Sequence, residues 1–132
     1  MGDAPVPSPR SEFDRLPPMS RYVFGLFRRA PRPPSLVPGE GDALQEAHLA
    51  HLRHLRESGE LLVVGPLEED TELRGIMIFR SDSIAQVREL MDPDPLLRKG
   101  ALLLELYTLF APAGIRVGGD APVTPVLDFA TD

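Results

Sequence analysis

The segment from residue 46 to residue 66 has the sequence EAHLAHLRHLRESGELLVVGP and decides the fold. Its first part places apolar residues at helical spacing, and Gly59 is the residue type that commonly ends a helix in the left-handed conformation. The part at 61–66 is a short, wholly apolar strand that ends in glycine and proline. A helix joined directly to a buried strand predicts a domain in which helices pack on a sheet.

The other elements are predicted outward from this segment by hydrophobic period and by turn residues. They are a strand at 21–29, a proline-rich loop at 31–41, a helix from Asp42 to about Ser58, strands at 61–66 and 74–80, a helix at 83–91, a short helical turn within 92–100 and a strand at 101–110. Asp42 is the predicted N-cap of the first helix, with Gln45 as its capping-box partner. Ser81 or Asp82 is the predicted N-cap of the second helix.

The resulting order β-α-β-β-α-β predicts an α+β fold of the ferredoxin-like type, with an antiparallel sheet and two helices on one face. The strands at 21–29 and 101–110 carry apolar residues on both faces. The sheet face without helices therefore needs a partner, and a second copy of the chain is the simplest one, which predicts a homodimer. The domain is expected at 21–111, between proline-rich arms at 1–20 and 112–132.

Composition excludes several classes of protein. A net charge of −6 disfavours nucleic-acid binding, and the chain contains no cysteine for a thiol nucleophile, a disulfide or a Cys-ligated zinc. Prolines interrupt the first twenty residues, and the longest apolar stretch is too short to span a bilayer. We therefore expect a cytoplasmic protein that does not associate with membranes. No glycine-rich phosphate-binding motif is present, so no cofactor is predicted.

The three histidines of the chain, His48, His51 and His54, occupy different directions around the predicted helix. His48 falls in the middle of the apolar stripe, His51 at its edge, and His54 toward solvent. A histidine on a buried face needs partners for its ring nitrogens, so His48 is either a core residue bonded to a backbone carbonyl or a pocket residue oriented by a carboxylate. A metal shared by His48 and His51 would need further ligands such as Asp94 or Glu105, and no metal is predicted because no established ligand motif is present.

Three segments together resemble the YciI-like (YCII-related) family: LQEAHLAHLRHLRESGELLVVGPL, LRGIMIF and MDPDPLLRKG. The resemblance spans about residues 20–115. It implies a ferredoxin-like domain that dimerises through its sheet as a dimeric α+β barrel, with a His–Asp pair in a cleft. The family histidine falls on His48 and the family aspartate on Asp94. Asp92 also precedes a proline and stays open as an alternative.

A histidine steadied by a carboxylate is suited to general acid–base catalysis, so the resemblance implies proton transfer. The expected reaction is elimination or isomerisation of a small cyclic or phenolic compound, which are reactions catalysed by lyases and isomerases. Substrate contacts are predicted at Arg74, His51, Tyr107, Gly65 and Pro66, with Arg74 as an anchor for an anion. A non-catalytic ligand-binding module and a structural dimer remain alternatives.

Overall fold

The computed structural model describes residues 18–115. The elements are β1 (Met19–Arg29), α1 (Glu40–Glu57), β2 (Leu61–Pro66), β3 (Leu73–Phe79), α2 (Ile84–Met91), α3 (Pro95–Lys99) and β4 (Leu102–Pro112). The predicted arms at 1–20 and 112–132 lie for the most part outside the described residues. No helix within the described range is long and apolar enough to cross a membrane.

The four strands form one sheet in the order β2-β3-β1-β4, and every neighbouring pair is antiparallel. This is the ferredoxin-like arrangement, so the predicted fold class is confirmed. The pairing places Phe27 opposite both Gly75 and Leu104. One end of the sheet is therefore formed where β1 and β2 end and β3 and β4 begin.

The helices cover one face of this sheet because alternate strand residues point toward them. Val23 and Phe27 of β1 and Met77 and Phe79 of β3 are at most 4% exposed and form the centre of the core. The helices and the remaining strands complete the same cluster with Leu52, Leu55, Leu61, Val87, Met91 and Leu106.

Helix α1 begins at Glu40 rather than after Asp42, so the predicted cap was wrong. Gly39 is the N-cap, with φ of 85°, a left-handed conformation that glycine adopts without steric cost. The Glu40 side chain then accepts a hydrogen bond from the Val37 N–H at 3.0 Å. This turn fixes the helix start ahead of Asp42, which lies in the first turn.

Helix α2 is capped by Ser83, not by Ser81 or Asp82. The Ser83 hydroxyl oxygen accepts the Gln86 N–H at 3.1 Å. Ser81 supports this cap from outside the helix, because its oxygen accepts the Ser83 N–H and its hydroxyl donates to the Gln86 side chain. Each of the polar residues at 81–83 is a good N-cap, and the sequence does not distinguish them.

The opposite face of the sheet carries apolar side chains without a covering helix. Alternation along the strands places Phe24, Leu26, Ile76, Ile78, Leu103 and Tyr107 on this face. Leu103 is 45% exposed and Tyr107 is 48% exposed. We call this set the open sheet face.

Candidate functional site

His48 lies on the buried face of α1, beside Leu52 and Leu55. Only 6% of the residue is exposed. Its ring meets the Phe27 ring edge-on, with centroids 5.4 Å apart and an angle of 70° between the planes. The histidine therefore sits within the apolar stripe, where an imidazole needs a hydrogen-bonding partner.

Asp94 supplies that partner because a short helix begins at this residue. Its Oδ1 accepts the backbone N–H groups of Leu96 and Leu97 at 3.0 and 3.2 Å, and Pro95 occupies the first turn of α3. Aspartate followed by proline is a favourable start for a helix. Capping engages one carboxylate oxygen and leaves Oδ2, which lies 2.7 Å from His48 Nδ1.

Asp92, the alternative partner for His48, pairs with a different residue. It is the C-cap of α2, and its exposed carboxylate forms an ion pair with Arg98 at 2.9 Å. Asp94 is fully buried. The two acids are two residues apart, but only Asp94 is brought to the histidine.

The Asp94 carboxylate determines the tautomer of His48. An ionised carboxylate only accepts hydrogen bonds, so the hydrogen of a neutral imidazole must be on Nδ1. Nε2 then carries a lone pair, and it has no hydrogen-bonding partner within residues 18–115. His48 also lines a cleft, and an imidazole with a free ring nitrogen can act as a proton acceptor toward a bound molecule.

Burial acts to raise the pKa of Asp94, because it penalises the charged form. Hydrogen bonds from His48 and His51, the charge on His48 and the Leu97 N–H act in the opposite direction and prevail. The pKa of Asp94 is therefore below the ordinary value of about 3.9. The carboxyl group is ionised at neutral pH and remains an acceptor for His48.

His51 lies behind the pair rather than in the cleft. Its Nδ1 is 3.3 Å from Asp94 Oδ2, and its Nε2 is 3.1 Å from the Leu90 carbonyl oxygen. Both neighbours are acceptors when Asp94 is ionised, so His51 donates to both only as an imidazolium and to one of them when neutral. It was predicted as a substrate contact, but it shares the Asp94 Oδ2 atom with His48 and is not among the residues that line the cleft.

The cleft has a volume of about 750 Å³ and lies at the end of the sheet where β1 and β2 end. The predicted contacts Arg74, Gly65 and Pro66 all line it, together with His48. The rest of its lining is formed by Phe27, Gln45, Leu49, Leu52, Arg53, Arg56, Glu57, Val64, Gly75, Leu96 and Leu102. Asp94 is buried and does not itself line the cleft.

Tyr107 does not lie at the cleft, so its prediction as a cleft residue needs correction. Leu106 points into the core, and alternation along β4 therefore turns Tyr107 to the open sheet face. There its hydroxyl donates to Glu105 Oε2 at 2.6 Å.

The alternative metal site is not assembled. Within residues 18–115, no three His, Asp or Glu side chains are arranged to hold a metal ion. Glu105, named as a possible additional ligand, lies on the open sheet face and forms an ion pair with Arg28.

Sequence reasoning missed two cleft residues, Arg53 and Arg56. They follow His48 by five and eight positions, which rotates them about 140° and about 80° from it around the helix, so only Arg56 borders the buried stripe. Helical spacing therefore gave a signal for Arg56 and none for Arg53. The sequence alone did not show that a cleft rather than solvent lies beside that edge of the stripe.

The fold and the buried His–Asp pair define a ferredoxin-like α+β domain with a histidine-bearing cleft. The family model of the YCII-related domain matches residues 26–108, and the chain belongs to this family. No curated protein sequence gives a significant match.

Two solved structures are similar in fold. One is 5-chloro-2-hydroxyhydroquinone dehydrochlorinase (TftG) from Burkholderia phenoliruptrix, in complex with 2,5-dihydroxybenzoquinone. It is 20% identical, with 64% of this chain and 90% of that chain covered and a TM-score of 0.41. The other is PA3566 from Pseudomonas aeruginosa, 19% identical, with coverage of 70% and 95% and a TM-score of 0.42.

Proposed function

We propose that this chain is a small-molecule enzyme that uses His48, oriented by Asp94, to transfer protons. The expected reaction is elimination or isomerisation of a small cyclic or phenolic compound. The observation that carries this proposal is the 2.7 Å contact between Asp94 Oδ2 and His48 Nδ1 beside an open cleft.

In the proposed mechanism, His48 Nε2 removes a proton from a hydroxyl or carbon of the bound compound. Asp94 stabilises the imidazolium that forms, because its negative charge is already held against Nδ1. In an isomerisation the imidazolium returns the proton to another atom of the compound. In an elimination the electron pair left behind forms a double bond as the bond to the leaving group breaks, and the imidazolium gives the proton to that leaving group.

The test is a screen of small aromatic, phenolic and lactone compounds for thermal stabilisation of the full chain, followed by assays of turnover for the compounds that bind. The key variant is His48→Gln, which retains a donor for Asp94 but cannot act as a base. We expect turnover to fall by about 10²- to 10⁴-fold, the usual contribution of a general acid–base group.

The matched control is His54→Gln, because His54 is an exposed histidine of the same helix. It should turn over substrate at the wild-type rate. Unchanged turnover in His48→Gln would refute the catalytic role. Binding without turnover of any compound by the wild-type chain would favour the alternative of a non-catalytic binding domain.

We also infer that two copies of the chain associate through the open sheet face. The supporting observation is its apolar surface, with Leu103 and Tyr107 each nearly half exposed. A structural dimer without catalysis would use the same face. The cytoplasmic location stays a prediction, motivated by the cysteine-free composition.

A further inference from the structure

Three arginine side chains line the cleft: Arg53 and Arg56 from α1, and Arg74 from β3. Glu57 is the only carboxylate among the lining residues within the described range. The whole chain has a net charge of −6. This local excess of positive charge is therefore opposite in sign to the rest of the molecule.

Arg53 and Arg56 have no internal partner. Within residues 18–115, neither side chain forms an ion pair or a hydrogen bond. Arg74 is partly engaged, since its Nη1 donates to the Thr71 carbonyl at 3.1 Å and lies 3.6 Å from Asp70. The cleft thus presents at least two guanidinium groups whose hydrogen-bond donors are unused.

The helix places these two groups on the turns that follow the histidine. Arg53 and Arg56 follow His48 by about 7.5 and 12 Å along the helix axis. Both side chains lean toward the helix N-terminus, where His48 lies, but Arg56 is rotated about 80° from His48 around the helix and Arg53 about 140°. An anionic group held by them would place the remainder of a ligand near the His48 ring.

The inner lining of the cleft is apolar. It contains Phe27, Leu52, Val64, Leu96 and Leu102. Such a surface accepts a ring or a hydrocarbon chain, and a cleft of about 750 Å³ has room for a ligand of two fused rings. A lining that combines unpaired guanidinium groups with apolar side chains fits a molecule that has an apolar body and one negatively charged group.

We propose that the ligand of this cleft is a small organic anion, a carboxylate or similar oxyanion on an apolar ring, held by Arg53 and Arg56. The inference rests on the proposed function, because it takes the cleft beside His48 as the substrate site. It adds that the substrate is negatively charged and that Arg53 and Arg56 bind the charged group.

The test uses matched pairs of carboxylate and neutral amide: benzoate with benzamide, 1-naphthoate with 1-naphthamide, and cyclohexanecarboxylate with its amide. Binding to the full chain is measured by NMR titration of its backbone amides, which also shows whether the shifts occur around His48 and Gly75. We expect the carboxylates to bind about tenfold more tightly than the amides. This preference should decline between about 0.02 and 0.3 M salt.

The variants are Arg53→Gln and Arg56→Gln, each expected to reduce carboxylate affinity several-fold while amide affinity stays the same. Arg88→Gln is the control, because Arg88 is an exposed arginine of α2 that does not line the cleft. Equal affinity for carboxylates and amides, no binding of any carboxylate at millimolar concentration, or equal losses in all three variants would overturn the proposal.

Failure of the anion site and failure of catalysis give different experimental results. Selective carboxylate binding without any turnover would support the anion site and count against catalysis. Turnover that depends on His48 but is equal for charged and neutral compounds would support catalysis and refute the anion site.

Discussion

A single residue, Asp94, links the local structure of the chain to its candidate chemistry. One carboxylate oxygen starts α3 by accepting two backbone N–H groups, and the other accepts from His48. Because the cap fixes the side chain, the second oxygen is held in place before any ligand binds. His48 is therefore oriented by Asp94, the residue that caps α3.

The lowered pKa of Asp94 predicts a pH dependence of stability. Between the pKa in the folded state and about 3.9, the unfolded chain binds more protons at this carboxyl group than the folded chain does. The free energy of unfolding should therefore rise with pH through this window. The contribution of Asp94 is complete above it and is lost as the pH falls through the folded-state value.

The measurement is urea unfolding of the wild-type chain and of Asp94→Asn from about pH 5 to about pH 2. Asparagine retains the cap and does not titrate, and His48 and His51 are present in both proteins. The stability advantage of the wild-type chain should shrink as the pH falls. An advantage that stayed constant across this range would show that the carboxylate is not stabilised in the folded state.

At the residue scale, the sequence predicted the partners but not how they are held. His48 follows from helical spacing as the histidine in the apolar stripe, and Asp94 followed from a family resemblance. Asp92 remained an alternative to the preferred Asp94, because both acids precede a proline. The choice depends on which acid caps a five-residue helix, and so short an element leaves little periodic signal.

Among the elements, the β2–β3 hairpin forms one side of the cleft and depends on the glycine in β3. A Cβ atom at Gly75 would lie 2.9 Å from the Gly65 carbonyl oxygen, which is a backbone atom of the paired strand. The same atom added at Gly65 would meet nothing within 4 Å. The two glycines are close together, but only Gly75 is required by close backbone approach.

This difference predicts that alanine lowers the free energy of unfolding more at Gly75 than at Gly65. Gly75→Ala must displace β2 from β3, and we expect the free energy of unfolding to fall by about 1–3 kcal/mol. Gly65→Ala should change it by less than about 0.5 kcal/mol. Urea denaturation of both variants measures the difference, and equal effects would show that the strands do not approach as closely as described.

Element order was predicted correctly, whereas element ends were not. The sequence contains several polar residues before each helix that are suitable caps. Glu40 bonds back to Val37 and Ser81 bonds forward to Ser83, and these contacts move the starts of α1 and α2 away from the expected positions. Hydrogen bonds within a turn depend on the path of the backbone, which a list of residue types does not give.

At the scale of the whole molecule, the proposed dimer can be tested by substituting two neighbouring residues of β4. Tyr107 and Thr108 are adjacent, exposed and on opposite faces of β4. If two copies associate through the open sheet face, Tyr107→Glu places a charge in the interface and Thr108→Glu places it outside. Light scattering after size-exclusion chromatography should show a dimer for the wild-type chain and for Thr108→Glu, and a monomer for Tyr107→Glu.

A monomeric wild-type chain at high protein concentration would refute the dimer. A dimer that persists in Tyr107→Glu but is lost in Thr108→Glu would place the interface on the other face of the sheet.

The sequence by itself determined the fold class of this protein and the position of His48 on the buried face of α1. Both follow from the spacing of apolar residues, which is a property of neighbours along the chain. Only the tertiary structure decided that Asp94 meets His48, that Arg53 and Arg56 line a cleft, and that Tyr107 lies on the opposite face. These facts depend on how residues more than forty positions apart are brought together, and on the side of the sheet to which packing turns each strand residue.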